Sequence, residues 1–396
     1  MDRPKRLEKQ KPTYDPAQIL TQWLSSLPAD RRAQWDSRGV TSASLAAYLP
    51  RRFTVYEPLV LFSPGALSGD SWARVLSEAT DEEKERLWRG ILEAVGRAQR
   101  VRVTHLAVNA AIPAHLSEEA GENVLRSPVS LVGLHGDFGP AVVPRHPSEA
   151  DFREAFWVGT KQNGIWQTWA PRHTMFSRGN VTEKARILTF HDDPPTGLES
   201  RKRSVKGGWA VDLYAGIGYF SFSYRRLGMR VLCWEINPWS VEGLRRGAAR
   251  NGWSVRVVQG EDLDRPADEL VGDEQIVVFL EDNRHALGRI ERLKRTRAGV
   301  DILHVNGGLL PTSKGSWEHA WKMAATSDEC WLHLHENVEE ADIPARRREI
   351  QELFNRWAEA DGPKRDATLE HVQRVKTIAP RVWHCVFDVY IKMSSQ

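Results

Sequence analysis

Asp212, Gly216 and Gly218 stand in one run, Val211-Asp212-Leu213-Tyr214-Ala215-Gly216-Ile217-Gly218-Tyr219-Phe220, and Glu235 follows about 20 residues on. The two glycines allow a backbone to approach a ligand closely, and a helix starting after them offers free N–H donors. An acid at the end of the next strand can accept hydrogen bonds from both hydroxyls of a ribose. The dinucleotide fingerprint is not met, because position 221 is Ser221. A second run, Met175-Phe176-Ser177-Arg178-Gly179-Asn180-Val181-Thr182-Glu183-Lys184, is rich in donors. Asn180 with Glu183 reads as a capping box, which would bring Ser177 and Lys184 near a helix start. Such a place suits an anion such as a carboxylate, the alternative being a cap beside a solvated lysine. Two further runs end in polar groups, Gln259-Gly260-Glu261-Asp262 and His304-Val305-Asn306-Gly307-Gly308-Leu309-Leu310-Pro311.

Short apolar strands alternating with helices position these groups. Trp209–Tyr214, Arg230–Glu235, Val255–Val258, Ile276–Leu280, Asp301–Val305 and Cys330–His335 read as strands, with helices over Tyr219–Leu227 and Ser240–Asn251. That pattern predicts a parallel sheet covered on both faces. His371–Ile378 and Val382–Ile391 are separated only by Ala379-Pro380-Arg381, too few residues for a parallel crossover, so the last strand is expected to be antiparallel. Upstream, Phe156–Trp169 reads as a hairpin turned at Asn163-Gly164, and a helix should begin near Val181. Residues 1–14 read as a disordered tail and 15–100 as a helical extension, with helices over Pro16–Leu27, Ser71–Leu76 and Thr80–Gln99. Residues 101–200 read as an α+β domain carrying the donor-rich loop, and 201–396 as the Rossmann-like domain.

Composition narrows the class. Apolar residues make up 41% and charged residues 27%, ordinary for a globular protein. No apolar run is long enough to span a bilayer, and the polar N-terminus is unlike a secretory signal. The three cysteines, Cys233, Cys330 and Cys385, show no metal-ligand spacing, so no metal is expected, and a reducing, cytoplasmic location fits. A net charge of +3 does not by itself imply nucleic acid, but arginines cluster at Arg31-Arg32, Arg51-Arg52, Arg201-Lys202-Arg203, Arg245-Arg246 and Arg346-Arg347-Arg348. Of the sixteen tryptophans, Trp157, Trp166 and Trp169 flank the donor-rich stretch, either as core or as platforms for bases.

The run from Asp212 to Gly218 resembles motif I of class I S-adenosylmethionine-dependent transferases. Met-Phe-Ser-Arg-Gly-Asn-x-x-Glu-Lys, Asp-Leu-Tyr-Ala-Gly-Ile-Gly-Tyr-Phe and Asn-x-Gly-Leu-Leu-Pro together resemble the tRNA wybutosine-synthesising protein 2 family in its fungal form, over about residues 101–396. The resemblance implies a seven-stranded, mostly parallel Rossmann-like sheet and transfer of the 3-amino-3-carboxypropyl group of S-adenosylmethionine. The acceptor would be carbon 7 of 4-demethylwyosine at position 37 of phenylalanine tRNA, in the anticodon loop, with methylthioadenosine released. It carries cofactor contacts over to Ser177, Lys184, Glu235 and the Glu261-Asp262 pair, either of which would meet the adenine amino group. Asp212, Gly216 and Gly218 belong to the same cofactor set.

The Pro-Pro-Tyr clamp of amino-directed methyltransferases is absent after Asn306, and Gly308 stands where guanosine-37 methyltransferases carry Pro. Asn306 could orient the acceptor. His304 and His173 are candidates for the base that removes its proton. The alternatives are a tRNA guanine-37 N1-methyltransferase and a non-catalytic tRNA-binding module.

Overall fold

The structure, a computed structural model, describes residues 14–109, 115–117, 121–122, 131–142, 144–192, 204–362 and 365–394. The expected tail before Tyr14 and the basic run Arg201-Lys202-Arg203 lie outside them. The chain divides into two compact units, 1–160 with 170–175, and 161–169 with 176–396, rather than at 100 and 200.

The first unit contains α1 (Pro16–Ser25), α2 (Ala29–Asp36), α3 (Ser42–Ala46), β1 (Thr54–Tyr56), β2 (Leu59–Phe62), α4 (Asp70–Glu78), α5 (Asp81–Gln99), β3 (His105–Val108), β4 (His115–Ser117), β5 (Gly121–Glu122), β6 (Val132–His135) and α6 (Glu149–Glu154). The helix starts obey local capping. The Asp15 carboxylate accepts from the Ala17 amide at 3.0 Å, and Thr80 with Glu83 forms a capping box before α5. Leu87, Trp88, Ile91, Leu92 and Val95 bury one stripe of α5 against Leu20 and Trp23 of α1, Trp72 and Phe62. The segment expected to be mainly helical also holds two short strands, β1 and β2. Leu59-Val60-Leu61-Phe62 is an apolar run too short for its periodicity to distinguish strand from buried helix. It pairs parallel with β3 in the sheet order β1-β2-β3-β6, so residues on both sides of position 100 share one sheet.

A hairpin of β7 (Val158–Gln162) and β8 (Ile165–Trp169) carries the chain into the second unit. Asn163 and Gly164 turn it with φ of 50° and 77°, the left-handed pair that a two-residue hairpin needs. There follow α7 (Val181–Thr189), β9 (Trp209–Asp212), α8 (Ser221–Arg226), β10 (Arg230–Glu235), α9 (Pro238–Arg250), β11 (Val255–Val258), α10 (Ala267–Leu270), β12 (Ile276–Leu280), α11 (Ala286–Thr296), β13 (Ile302–Gly307), α12 (Trp317–Ala324), β14 (Glu329–Glu339), α13 (Ile343–Ala360), β15 (Arg365–Ala379) and β16 (Val382–Met393).

The second unit's large sheet has eight strands, one more than expected, in the order β11-β12-β10-β9-β13-β14-β16-β15. β16 runs antiparallel to both β14 and β15, as expected of the last strand. Alternate residues serve the two faces. Val211, Leu232, Trp234, Val277 and Phe279 meet Ile290 and Leu293 of α11, Trp321 of α12 and Phe354 of α13. Ala210, Val231, Cys233, Ile276 and Val278 meet Phe222, Val241 and Leu244 on the other side. Cys233, Cys330 and Cys385 are all buried free thiols. Among the described residues no helix is long and apolar enough to cross a membrane.

Candidate cofactor and acceptor site

The site is built around the turn between β9 and α8. Gly216 and Gly218 adopt φ of 54° and 88°, the left-handed region in which a side chain is strained. A Cβ on Gly218 would also lie 2.6 Å from the Phe222 ring. The turn is tied to β10 by the Gly216 amide, which donates to Glu235 Oε2 at 2.8 Å. The amides of Ile236 and Asn237 donate to Glu235 Oε1 at 2.9 and 2.8 Å. Burial raises the Glu235 pKa, and the three amides oppose that rise. Oε1 is taken up by its two amides, and Oε2 keeps a lone pair for a ligand hydroxyl.

Asp212, expected among the cofactor contacts, has no exposed surface. Its Oδ2 accepts from Ser221 Oγ at 2.7 Å and its Oδ1 from Asn306 Nδ2 at 3.1 Å. Asp212 therefore holds the ends of β9, α8 and β13 together. Asn306 is equally buried, and its Oδ1 has no hydrogen-bond partner. The chain after Asn306 is stitched back onto β14, with the Asn337 amide donating to Pro311 O at 2.7 Å and Ser313 Oγ to His335 O at 3.1 Å.

Ser177 and Lys184 are brought together, but not by the expected capping box. A 3-10 turn over Arg178–Asn180 leaves Asn180 at φ −84°, ψ 5°, not the extended backbone of a capping residue, and its side chain makes no cap bond. Glu183 turns inward instead, to Arg186 at 2.6 Å. Lys184 is not solvated. It is 4% exposed, and its Nζ donates to Gln162 Oε1 at 2.6 Å and Gln167 Oε1 at 2.7 Å. The rings of Phe176 and Tyr219 lie 5.2 and 5.7 Å away. Burial first, and the nearby Lys376 second, push its pKa down to about 7. The Ser177 amide donates to Tyr219 Oη at 3.1 Å, linking the loop to the residue after Gly218.

Neither candidate base keeps that role. His304 is 1% exposed, with Nε2 2.8 Å from His191 Nε2 and Nδ1 2.9 Å from His333 Nε2. Both ring nitrogens are committed to a buried chain that continues through His333 Nδ1 to Asp388 at 2.8 Å and on to Arg186. His173 is buried in the first unit, where burial and Arg172 lower its pKa to about 4. The three tryptophans are likewise engaged. Trp157 Nε1 donates to Phe152 O at 2.8 Å, Arg250 covers the Trp166 ring at 3.6 Å, and Trp169 stacks on Phe176 at 4.4 Å.

The strand order relocates one acidic pair. β12, not β11, lies beside β10, with Leu280 level with Glu235. Glu261 and Asp262 follow the edge strand β11, one strand further out, where Glu261 is exposed and Asp262 pairs with Arg265 at 3.2 Å. The position next to Glu235 belongs to Glu281-Asp282-Asn283. Asn283 Nδ2 donates to Leu213 O at 2.9 Å, against the motif I turn. The visible signal was an Asp-Asn pair closing a five-residue apolar run; strand order is set by long-range pairing and is not written in the run itself.

This sheet, its antiparallel β16 and the glycine turn answered by Glu235 define a class I S-adenosylmethionine-dependent transferase. The residues fit that co-substrate, with a glycine cradle that side chains would fill, a carboxylate hydrogen-bonded to that turn and a buried lysine whose hydrogen bonds, among the described residues, go to two neutral amide oxygens. No family model matches the chain. It is 39% identical over 343 residues to tRNA wybutosine-synthesizing protein 2 of Schizosaccharomyces pombe, covering 86% of this chain and 72% of that one. It is 30% identical over 385 residues to the Saccharomyces cerevisiae protein of the same name, covering 89% and 76%. A structure of Pyrococcus horikoshii TYW2 in complex with MeSAdo superposes with a TM-score of 0.53 at 18% identity, covering 96% of this chain and 100% of that one. Pyrococcus abyssi Trm5b superposes with 0.51 at 16%, covering 88% and 78%, so these two establish the fold. The chain belongs to the tRNA wybutosine-synthesizing protein 2 family. It is an S-adenosylmethionine-dependent transferase that modifies tRNA in wybutosine synthesis by moving the aminocarboxypropyl group.

Proposed function

We propose that the acceptor is carbon 7 of 4-demethylwyosine at position 37 of phenylalanine tRNA, and that Ser177 and Lys184 select the transferred group by holding the carboxylate of the methionine arm. When bound, S-adenosylmethionine would supply a sulfonium with an electrophilic Cγ, the new bond to the acceptor carbon replacing the Cγ–S bond, the bonding pair staying on the sulfur of methylthioadenosine and the acceptor's proton passing to water. A sulfonium has three electrophilic carbons, and the one in line with the nucleophile reacts. The protein's part is orientation. Gly216 and Gly218 admit the thioether end, Glu235 receives the ribose hydroxyls, and Asp282 with Asn283 faces adenine in place of Glu261 and Asp262. The observation that carries the reading is Lys184, a buried ammonium whose partners are two neutral amide oxygens. A carboxylate arriving there gains a charge-assisted hydrogen bond from a donor already in place. Phosphates of the anticodon arm would be met by exposed arginines such as Arg51 and Arg52, which have no ion pair among the described residues.

Lys184→Ala tests the assignment. Turnover should fall much more than affinity for methylthioadenosine, which has no carboxylate. Equal losses would place Lys184 in support of the fold, and unchanged turnover would remove it from the site.

A further inference from the structure

A second ammonium enters the same loop from the far end of the chain. Lys376, on β15, donates from Nζ to Ser177 Oγ at 3.0 Å across a separation of 199 residues. Its stem crosses Gly179 so closely that a Cβ there would lie 2.5 Å from Lys376 Cδ. Gly179 does not have a positive φ, so its missing side chain is needed for this passage and not for backbone freedom. Burial lowers the pKa of Lys376, and Lys376 in turn lowers that of Lys184. Among the described residues, neither ammonium has a carboxylate within ion-pair distance. In the same unit Arg186 is neutralised by Glu183 and Asp388 and Arg289 by Glu281, whereas Arg230 and Lys294 are held by backbone carbonyls. Two partly desolvated cations close enough to depress one another, one of them on the Ser177 hydroxyl and the other on two amide oxygens, are costly unless an anion completes the group.

We propose that Lys376 is a second carboxylate-binding residue, closing with Lys184 and Ser177 a two-cation clamp on the methionine arm, and that Gly179 is the gap through which it reaches. The inference rests on the arm-binding reading of Ser177 and Lys184. One cation fixes a point on the carboxylate. Two, approaching from α7 and from β15, fix its direction, and so the direction of the Cγ–S bond one chain away.

Calorimetry on the full chain, with S-adenosylmethionine, decarboxylated S-adenosylmethionine and methylthioadenosine as probes, tests it. Lys376→Met should lower affinity for S-adenosylmethionine about ten- to hundredfold, the range of a charged hydrogen bond, and leave the two carboxylate-free ligands unchanged. Lys376→Arg should restore part of the loss. Gly179→Ala, which keeps both lysines but blocks the passage, should shift the three ligands in the same pattern. Equal loss for all three ligands, or no loss for any, overturns the clamp. Weakened tRNA binding with unchanged ligand discrimination also overturns it, by giving Lys376 to a phosphate. Lys184→Met in the same titrations separates the two ideas. If it discriminates among the ligands and Lys376→Met does not, the arm-binding reading stands and the second cation falls; if neither discriminates, both fall.

Discussion

Asn306 Nδ2 donates to Asp212 Oδ1 over 3.1 Å, with both side chains fully enclosed. The contact joins the ends of neighbouring strands β9 and β13, and the Leu213 amide, donating to Asn306 O at 3.0 Å, doubles it. The motif that carries the glycine turn is therefore tied at two points to the motif that ends β13.

Asn306→Ala should uncouple them. Burial already raises the Asp212 pKa, and Asn306 is one of the donors opposing that rise. Losing a donor to a buried acid costs about 1–3 kcal/mol, read as a lower urea midpoint with unchanged slope. Turnover should fall beyond what that destabilisation explains, because the turn that receives the co-substrate is no longer fixed. A variant of full stability and full turnover would show that the contact is incidental.

The acid that faces adenine can be located by substitution. Asp282→Ala should weaken binding of both S-adenosylmethionine and methylthioadenosine, since both carry adenine. Glu235→Ala should do the same through the ribose, by about ten- to hundredfold. Glu261→Ala and Asp262→Ala should leave both affinities unchanged. Calorimetry in which Glu261 or Asp262 matters and Asp282 does not would return the contact to the edge strand.

The contrast between these acids shows what the sequence carries. Arg230–Glu235, Val255–Val258 and Ile276–Leu280 are strands over the expected residues, because a short apolar run bounded by polar turns encodes its own extent. Asp15 and Thr80 cap their helices because capping is local. Which strand lies beside β10 depends on pairing across the sheet, so chain order does not tell Glu261 and Asp262 from Asp282. The burial of His304 is not legible locally, because its partners His191 and His333 come from distant segments. Lys376 gave no signal at all, its contact with Ser177 spanning most of the second unit.

The chain from His304 to Arg186 passes through Asp388, which has consequences for stability. Burial works against ionisation of Asp388, but Arg186 and then His333 outweigh it and hold the carboxyl well below its usual range. A carboxyl with a depressed folded-state pKa binds its proton less readily in the folded than in the unfolded chain. It therefore stabilises the fold above its ordinary pKa of about 3.9, and this contribution is lost as pH falls below that value. Asp388→Asn leaves Arg186 and His333 buried without their shared anion and should cost about 3–5 kcal/mol. Urea unfolding between pH 7 and pH 3 should show a stability drop at neutral pH and a shallower acid decline for the variant. Parallel curves would mean that Glu183 alone suffices for Arg186.

The central claim is that this site presents Cγ, and not the methyl carbon, to the acceptor. Chromatography of a single-turnover reaction with S-adenosylmethionine and phenylalanine tRNA carrying 4-demethylwyosine measures it directly. Methylthioadenosine should appear in equal amount to modified tRNA, and the base should gain the mass of an aminocarboxypropyl group. S-adenosylhomocysteine with a methylated base would contradict the account.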